Sequence, residues 1–159
     1  MPAWQRGRLA VERMLESGEL ETVEPSLPTA ERLLAAATAH IALAGKGVDE
    51  DPDGAFQLGY DAARKSCAAL LAVQGLRATT HGGHVAVQEA VRDQFAGPNG
   101  MPVFGRLSRL RRQRNATEYP DPDSPTVTAE DAVACLAVAG EMLDAARRLV
   151  ESGQLGRWA

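Results

Sequence analysis

Five arginines fall within nine positions, Arg106, Arg109, Arg111, Arg112 and Arg114, in a chain whose formal net charge is -4. Guanidinium groups offer planar, bidentate forks to phosphates and carboxylates. On a helix, Phe104, Leu107 and Leu110 share one face, with Arg111 and Arg114 on its flank. Arg106, Arg109 and Arg112 stand elsewhere around the cylinder. Two readings follow: recognition of phosphates, or a solvated face that pairs with the acids of the chain. The run leads into Arg114-Asn115-Ala116-Thr117-Glu118-Tyr119-Pro120, which adds an amide, a carboxylate and a phenol to the last guanidinium. Glu118 can pair with Arg111 or Arg114 and fix the helix end, as pairs four apart commonly do.

Other chemistry-bearing residues are sparse. His81 and His84 are three apart, and His40 is the third histidine. That spacing suits a shared metal on a helix. Gly82 and Gly83 lie between them, however, and no Asp, Glu or Cys flanks them closely, so the plain reading of His84 is a polar residue in a helix's first turn. Asp49, Glu50, Asp51 and Asp53 cluster, but Pro52 and Gly54 break any calcium-loop spacing. They read as an acidic helix start. The Gly45-Lys46-Gly47 segment lacks the rest of a phosphate-cradling loop, and no Gly-x-Ser-x-Gly elbow occurs. Cys67 and Cys135 each lie in an apolar helical pattern and form no CxxC pair. They read as buried, reduced thiols. No metal and no cofactor is expected.

The elements that must position these residues are helices. At 159 residues the chain fits one domain, spanning 1–159. Aromatics are only 4%, so Leu, Val and Ala must build the core, and Ala-rich segments favour helix. Val11, Met14 and Leu15, with Trp4, mark a first short helix that Gly18 ends. Glu19 to Pro28 reads as a connection. Ser26 or Thr29 caps a second helix carrying Leu33, Leu34, Ala37, Ile41 and Ala44 and ending near Gly45 and Gly47. Asp51-Pro52 opens a third helix, whose row Phe56, Tyr60, Ala63, Cys67, Leu70 and Gln74 keeps the 3.6-residue period up to a cap at Gly75. Arg77 to Gly83 reads as a polar turn, His84 to Phe95 as a fourth helix broken at Gly97-Pro98-Asn99-Gly100, and about Val103 to Arg114 as a fifth. Pro120, Pro122 and Pro125 exclude regular structure. Thr128 caps a last helix that Gly153 ends. No segment alternates strictly, so strands are not expected. The expectation is an all-α, antiparallel bundle of five or six helices, with an N-terminal helix and connection over 1–27 and a core bundle over 28–153.

The acidic balance argues against a general nucleic-acid coat, though not against a local basic patch. No apolar run approaches a membrane span, and the N-terminus, with Arg6, Arg8, Glu12 and Arg13, does not read as a signal peptide. The expected compartment is the cytoplasm.

The segment Arg114 to Tyr119, at the end of a penultimate helix and before a Pro-rich link, resembles the signature of the HEPN superfamily. That family carries an Arg, usually followed by a polar residue such as Asn, and then a His. The segment is similar to the actinobacterial variant that reads Arg-Asn-x-x-Glu-Tyr-Pro. Gly59-Tyr60-Asp61-Ala62-Ala63-Arg64 through Gln74-Gly75-Leu76-Arg77 resembles an early helix of that family and its turn, and His81-Gly82-Gly83-His84 resembles the turn that follows. The resemblance runs from about Glu31 to Val150. It implies a helical bundle that pairs into a homodimer, with two signatures meeting in a cleft. Active members are metal-independent endoribonucleases, often toxins of toxin–antitoxin pairs or defence effectors. The family's phosphate-binding role falls on Arg114 and, more loosely, its polar role on Asn115. Arg109, Arg111 and Arg112 of the basic run are the further candidates for RNA contact. No His lies within six residues after Arg114. Tyr119 stands in its place, and a tyrosine titrating at about 10 is a poor base at neutral pH. It retains the role of an acid or a phosphate hydrogen-bond donor. His81 or His84 would have to reach the Arg114 cleft from another helix to replace the missing group. The alternative that the resemblance implies is a non-catalytic interaction module partnering a minimal nucleotidyltransferase, with Tyr119 as the AMPylation target.

Overall fold

The computed structural model describes residues 6–97 and 101–158. Trp4 and the Pro98-Asn99-Gly100 break lie outside the described residues. Six α-helices occur among the described residues, in chain order: α1 (Arg8–Glu16), α2 (Leu27–Gly47), α3 (Pro52–Gln74), α4 (Gly83–Phe95), α5 (Leu107–Glu118) and α6 (Ala129–Glu151). The fold is an all-α bundle with a minute sheet.

Local chemistry explains the helix ends. Ser26 caps α2 by accepting from the Thr29 N–H, and Asp51 caps α3 by accepting from Gly54. Thr128 and Asp131 form a reciprocal capping box on α6. Gly75 ends α3 in the left-handed conformation at φ 77°. A Cβ there would come within 2.7 Å of the Val23 carbonyl oxygen, so conformation and space both require glycine.

The core is organised around α3. Its buried residues run from Ala55 and Phe56 through Ala62, Ala63 and Cys67 to Gln74 and cover a little over half of the cylinder, and no residue from Ala55 to Gln74 is exposed. A helix with no exposed position along this length is a central one. It packs along α2 and α6, which also touch each other, and against α4 and α5. The many alanines let helices approach closely, so few large side chains are needed to fill the interior. Val11, Met14, Leu20 and Leu155 join the same core cluster, which draws in α1 and the C-terminal segment. Phe95 and Phe104 pack with ring centroids 6.1 Å apart. Gln74 and Gln94 bond amide to amide, at 2.6 and 3.1 Å, and satisfy each other inside the core. Cys67 and Cys135 are buried free thiols, each pushed up to about 12 by desolvation.

Two expectations from the sequence need correction. Strands do form: β1 (Leu20–Thr22) pairs antiparallel with β2 (Leu76–Ala78), in the register Leu20 to Ala78 and Thr22 to Leu76. Cross-strand Arg77 donates to Glu21 at 2.6 Å. Segments of three residues are too short to show a period, and their pairing joins distant parts of the chain. The fifth helix is also built differently. Pro102–Arg106 is a 3-10 turn, and α5 then continues one turn past Arg114 to Glu118, so the Arg114–Glu118 segment is helical.

Candidate functional site

Three helices turn polar stripes toward one seam. On α3, Gln57, Tyr60, Asp61 and Arg64 follow at spacings of three, four and seven, which places them on one face. On α5, Arg111, Arg114 and Glu118 share the side of the buried Leu107 and Leu110. On α4, His84 and Gln88 are four apart at the N-terminal end.

Tyr60 joins the three. Its side chain is only 2% exposed. Its ring lies under the Arg114 guanidinium, 5.5 Å from the Cζ atom to the centroid, a cation–π distance. Its hydroxyl is 3.0 Å from His84 Nδ1, and the two rings are 5.7 Å apart. Burial pushes the Tyr60 phenol up, over the opposing charges of Arg114, Arg64 and Arg111, and so keeps it neutral. Burial, Arg64 and Arg114 push His84 down, against Asp61, so the ring is neutral at physiological pH. With Nδ1 engaged by the phenol, Nε2 is the nitrogen left for a ligand. It offers a lone pair when Nδ1 carries the proton, and an N–H when the phenol donates.

Arg114 is fixed on almost every edge. Nε donates to Gln57 Oε1 at 3.2 Å, and Nη1 to Asn115 Oδ1 at 3.3 Å. Nη2 lies 2.7 Å from Glu118 Oε2. Arg111 donates to the buried Gln88 at 3.2 Å. Around the seam, Asp61 holds Arg64 at 2.6 Å, Lys65, and His40 at 3.3 Å. Burial raises the Asp61 carboxyl, but the hydrogen bonds and charges of Lys65 and Arg64 prevail and hold it below its usual range. Arg64 Nε is buried with no hydrogen-bond partner among the described residues. The result is a neutral imidazole and three guanidiniums around one phenol, which suits an oxyanion and a proton transfer.

The sequence-expected residues divide here. Arg114, Asn115 and Arg111 are in the seam. Arg109 and Arg112 project from the other side of α5, exposed and unpaired among the described residues, while Arg106 pairs with Glu141. Tyr119, at the C-terminal cap of α5, is 77% exposed and stands in solvent outside the cluster. His84 enters the seam, whereas His81 is exposed. Tyr60, Gln57, Arg64 and Gln88 were not read as site residues; the signal available was the polar stripe along an otherwise apolar α3. Gly82 is the hinge of this placement. A Cβ there would overlap the Glu19 carbonyl oxygen and come within 2.7 Å of Ala86 Cβ, so the bare backbone sets where α4, and His84 with it, begins.

The burial of His84 gives stability a pH dependence. Its proton affinity is lower folded than unfolded. The unfolded chain therefore takes up the proton first as pH falls through the ordinary histidine value, about 6.5. This contribution is full above that value and is lost as pH drops through the folded one. The fall in Tm between pH 7 and pH 5 should be smaller in His84→Gln than in the parent. Equal falls would remove His84 from the acid sensitivity.

A cavity of about 300 Å³ opens elsewhere, lined mainly by apolar residues including Leu33, Leu71, Leu76 and Val87. No helix among the described residues is long and apolar enough to cross a membrane. No protein-family model, curated protein or solved structure matches the chain.

Proposed function

We propose that this chain is an RNA-directed protein of HEPN type, acting in the cytoplasm as a toxin or defence effector. Arg114 receives the scissile phosphate, and His84 supplies the acid–base group that the sequence lacks after Arg114. The observation that carries this reading is Tyr60, which touches the Arg114 guanidinium with its ring and His84 Nδ1 with its hydroxyl. The chemistry is transesterification. The ribose 2′-oxygen attacks the adjacent phosphorus while His84 Nε2 takes its proton. The bond from phosphorus to the 5′-oxygen breaks, leaving a 2′,3′-cyclic phosphate and, after protonation from solvent, a 5′-hydroxyl. Arg114 and Arg111 offset the charge that grows on the phosphorane oxygens. A homodimer in which two such seams face one cleft is part of this reading, and sedimentation at micromolar concentration tests it.

Arg109 and Arg112 would extend the contact along the RNA backbone. Because RNA binding releases counterions, the affinity should fall linearly on a log–log plot against salt. Arg109→Ala and Arg112→Ala should each lower the slope by about 0.7 and weaken all sequences alike. Unchanged slopes would place the RNA elsewhere.

A second reading is favoured by the exposure of Tyr119. The chain would then be a non-catalytic module whose partner nucleotidyltransferase modifies that phenol. Co-expression with the neighbouring gene product and intact-mass measurement tests this: one AMP adduct, absent in Tyr119→Phe, supports it, and no adduct removes it.

A further inference from the structure

We propose that Glu118 is an intramolecular lid on the phosphate site, its carboxylate holding the Nη2 edge of Arg114 against an incoming phosphate. The inference rests on the reading of Arg114 as a phosphate ligand. Of the guanidinium's donor nitrogens, Nε is engaged by Gln57 and Nη1 by Asn115, and the Tyr60 ring covers one face. Arg114 is thus oriented without Glu118. Of these nitrogens only Nη2 faces a charged group, Glu118 Oε2 at 2.7 Å, so this carboxylate is the negative oxygen that a phosphate meets at the guanidinium.

The pair is poorly placed to serve the helix. Glu118 is the last residue of α5, and the last turn holds no basic residue. A carboxylate at a helix C-terminus opposes the macrodipole. The acid also follows its cation in sequence, the weaker order for a pair four apart. What the contact does instead is hold a negative oxygen where a phosphate oxygen would bind. Glu118 is 38% exposed, so its side chain has solvent to swing into. RNA must displace it, and a weakly binding anion cannot. Glu118 thereby sets a threshold that favours polyanionic strands over free phosphate.

The test measures binding of a 2′-O-methyl decaribonucleotide, which cannot be cleaved by 2′-attack, by fluorescence anisotropy on the full chain in EDTA. Glu118→Gln keeps the shape and removes the charge. It should tighten binding about tenfold, the size expected for one charge a few ångströms from a phosphate. Glu141→Gln is the control, since it neutralises an exposed acid that also pairs with an arginine, Arg106. It should change affinity less than threefold. In an Arg114→Ala background the Glu118 effect should vanish, because the edge it covers is gone. Inorganic phosphate, undetectable on the parent at millimolar concentration, should bind Glu118→Gln. Equal or weaker oligonucleotide binding by Glu118→Gln, with Arg114→Ala still impaired, overturns the lid and leaves the site. A gain matched by Glu141→Gln, or one that persists without Arg114, overturns it as a general charge effect. Arg114→Ala binding like the parent removes the site and the lid together. Glu118→Ala, which also lacks the charge, should agree with Glu118→Gln.

Discussion

His84→Ala is expected to slow RNA cleavage by about 10²- to 10⁴-fold, the contribution of a positioned general base, while the protein stays folded. The ring is half-buried at the start of α4 and makes a hydrogen bond with the Tyr60 hydroxyl. Losing that bond leaves the buried Tyr60 hydroxyl unpaired and costs about 1–3 kcal/mol, less than the 5 to 15 kcal/mol of a typical domain. Catalysis and stability therefore separate in this variant. The pH profile separates them further. His84 is pushed below its ordinary value by burial, Arg64 and Arg114. Its base form then persists to lower pH than that of a free histidine, and the parent's cleavage should fall off only below about 6.5. Any residual cleavage by His84→Ala should lack that acid limb. Tyr60→Phe retains the ring under Arg114 but frees Nδ1, so its rate should fall less than that of His84→Ala. Cleavage by His84→Ala at the parent's rate would remove the histidine from the chemistry.

Gly82→Ala should destabilise the fold more than the same change at its neighbour, Gly83. The new Cβ would overlap the Glu19 carbonyl oxygen and crowd Ala86 Cβ. The first is backbone tied into the structure by the Thr79 N–H at 3.0 Å, so it yields only by moving the turn. Overpacking of this kind costs about 1–3 kcal/mol, and each kcal/mol lowers Tm by roughly 2–4 °C at this chain length. Gly83 provides the contrast. It has the positive φ of 53°, yet a Cβ there meets nothing within 4 Å. Gly83→Ala carries only the conformational cost, about 1–2 kcal/mol. Because the clash also shifts the start of α4, Gly82→Ala should lose cleavage beyond its loss of stability. Thermal melts and cleavage rates on both variants test this. A milder Gly82 variant on both measures would show that the turn relaxes freely.

The long helices were legible because their signals repeat. The Phe56 to Gln74 row of α3 holds its period over the whole helix, and Asp51, Gly75 and Thr128 mark ends that the structure keeps. The strands were not legible, since β1 and β2 have three residues each and acquire meaning only when paired. The candidate site was half legible. Arg114 and Asn115 stood out by composition and spacing, and Arg111 by its flank position. Tyr60 was read as one apolar member of the α3 row. It is buried there, but its hydroxyl does something the row does not reveal. A bond to His84, 24 residues further along the chain, depends on how α3, α4 and α5 converge, and no local pattern encodes that. The mid-helix polar residues Gln57, Asp61 and Arg64 were the available clue, because a central helix carries charge only where a partner or solvent meets it.

The most direct test of RNA cleavage at Arg114 is incubation of the purified chain with defined RNAs in EDTA, beside Arg114→Ala, with the product ends identified. Cleavage by the parent should leave 2′,3′-cyclic phosphates, and the variant should lose about 10²- to 10³-fold in rate, as when one oxyanion donor is removed. Intact RNA with both proteins, or equal cleavage by both, would contradict cleavage at Arg114.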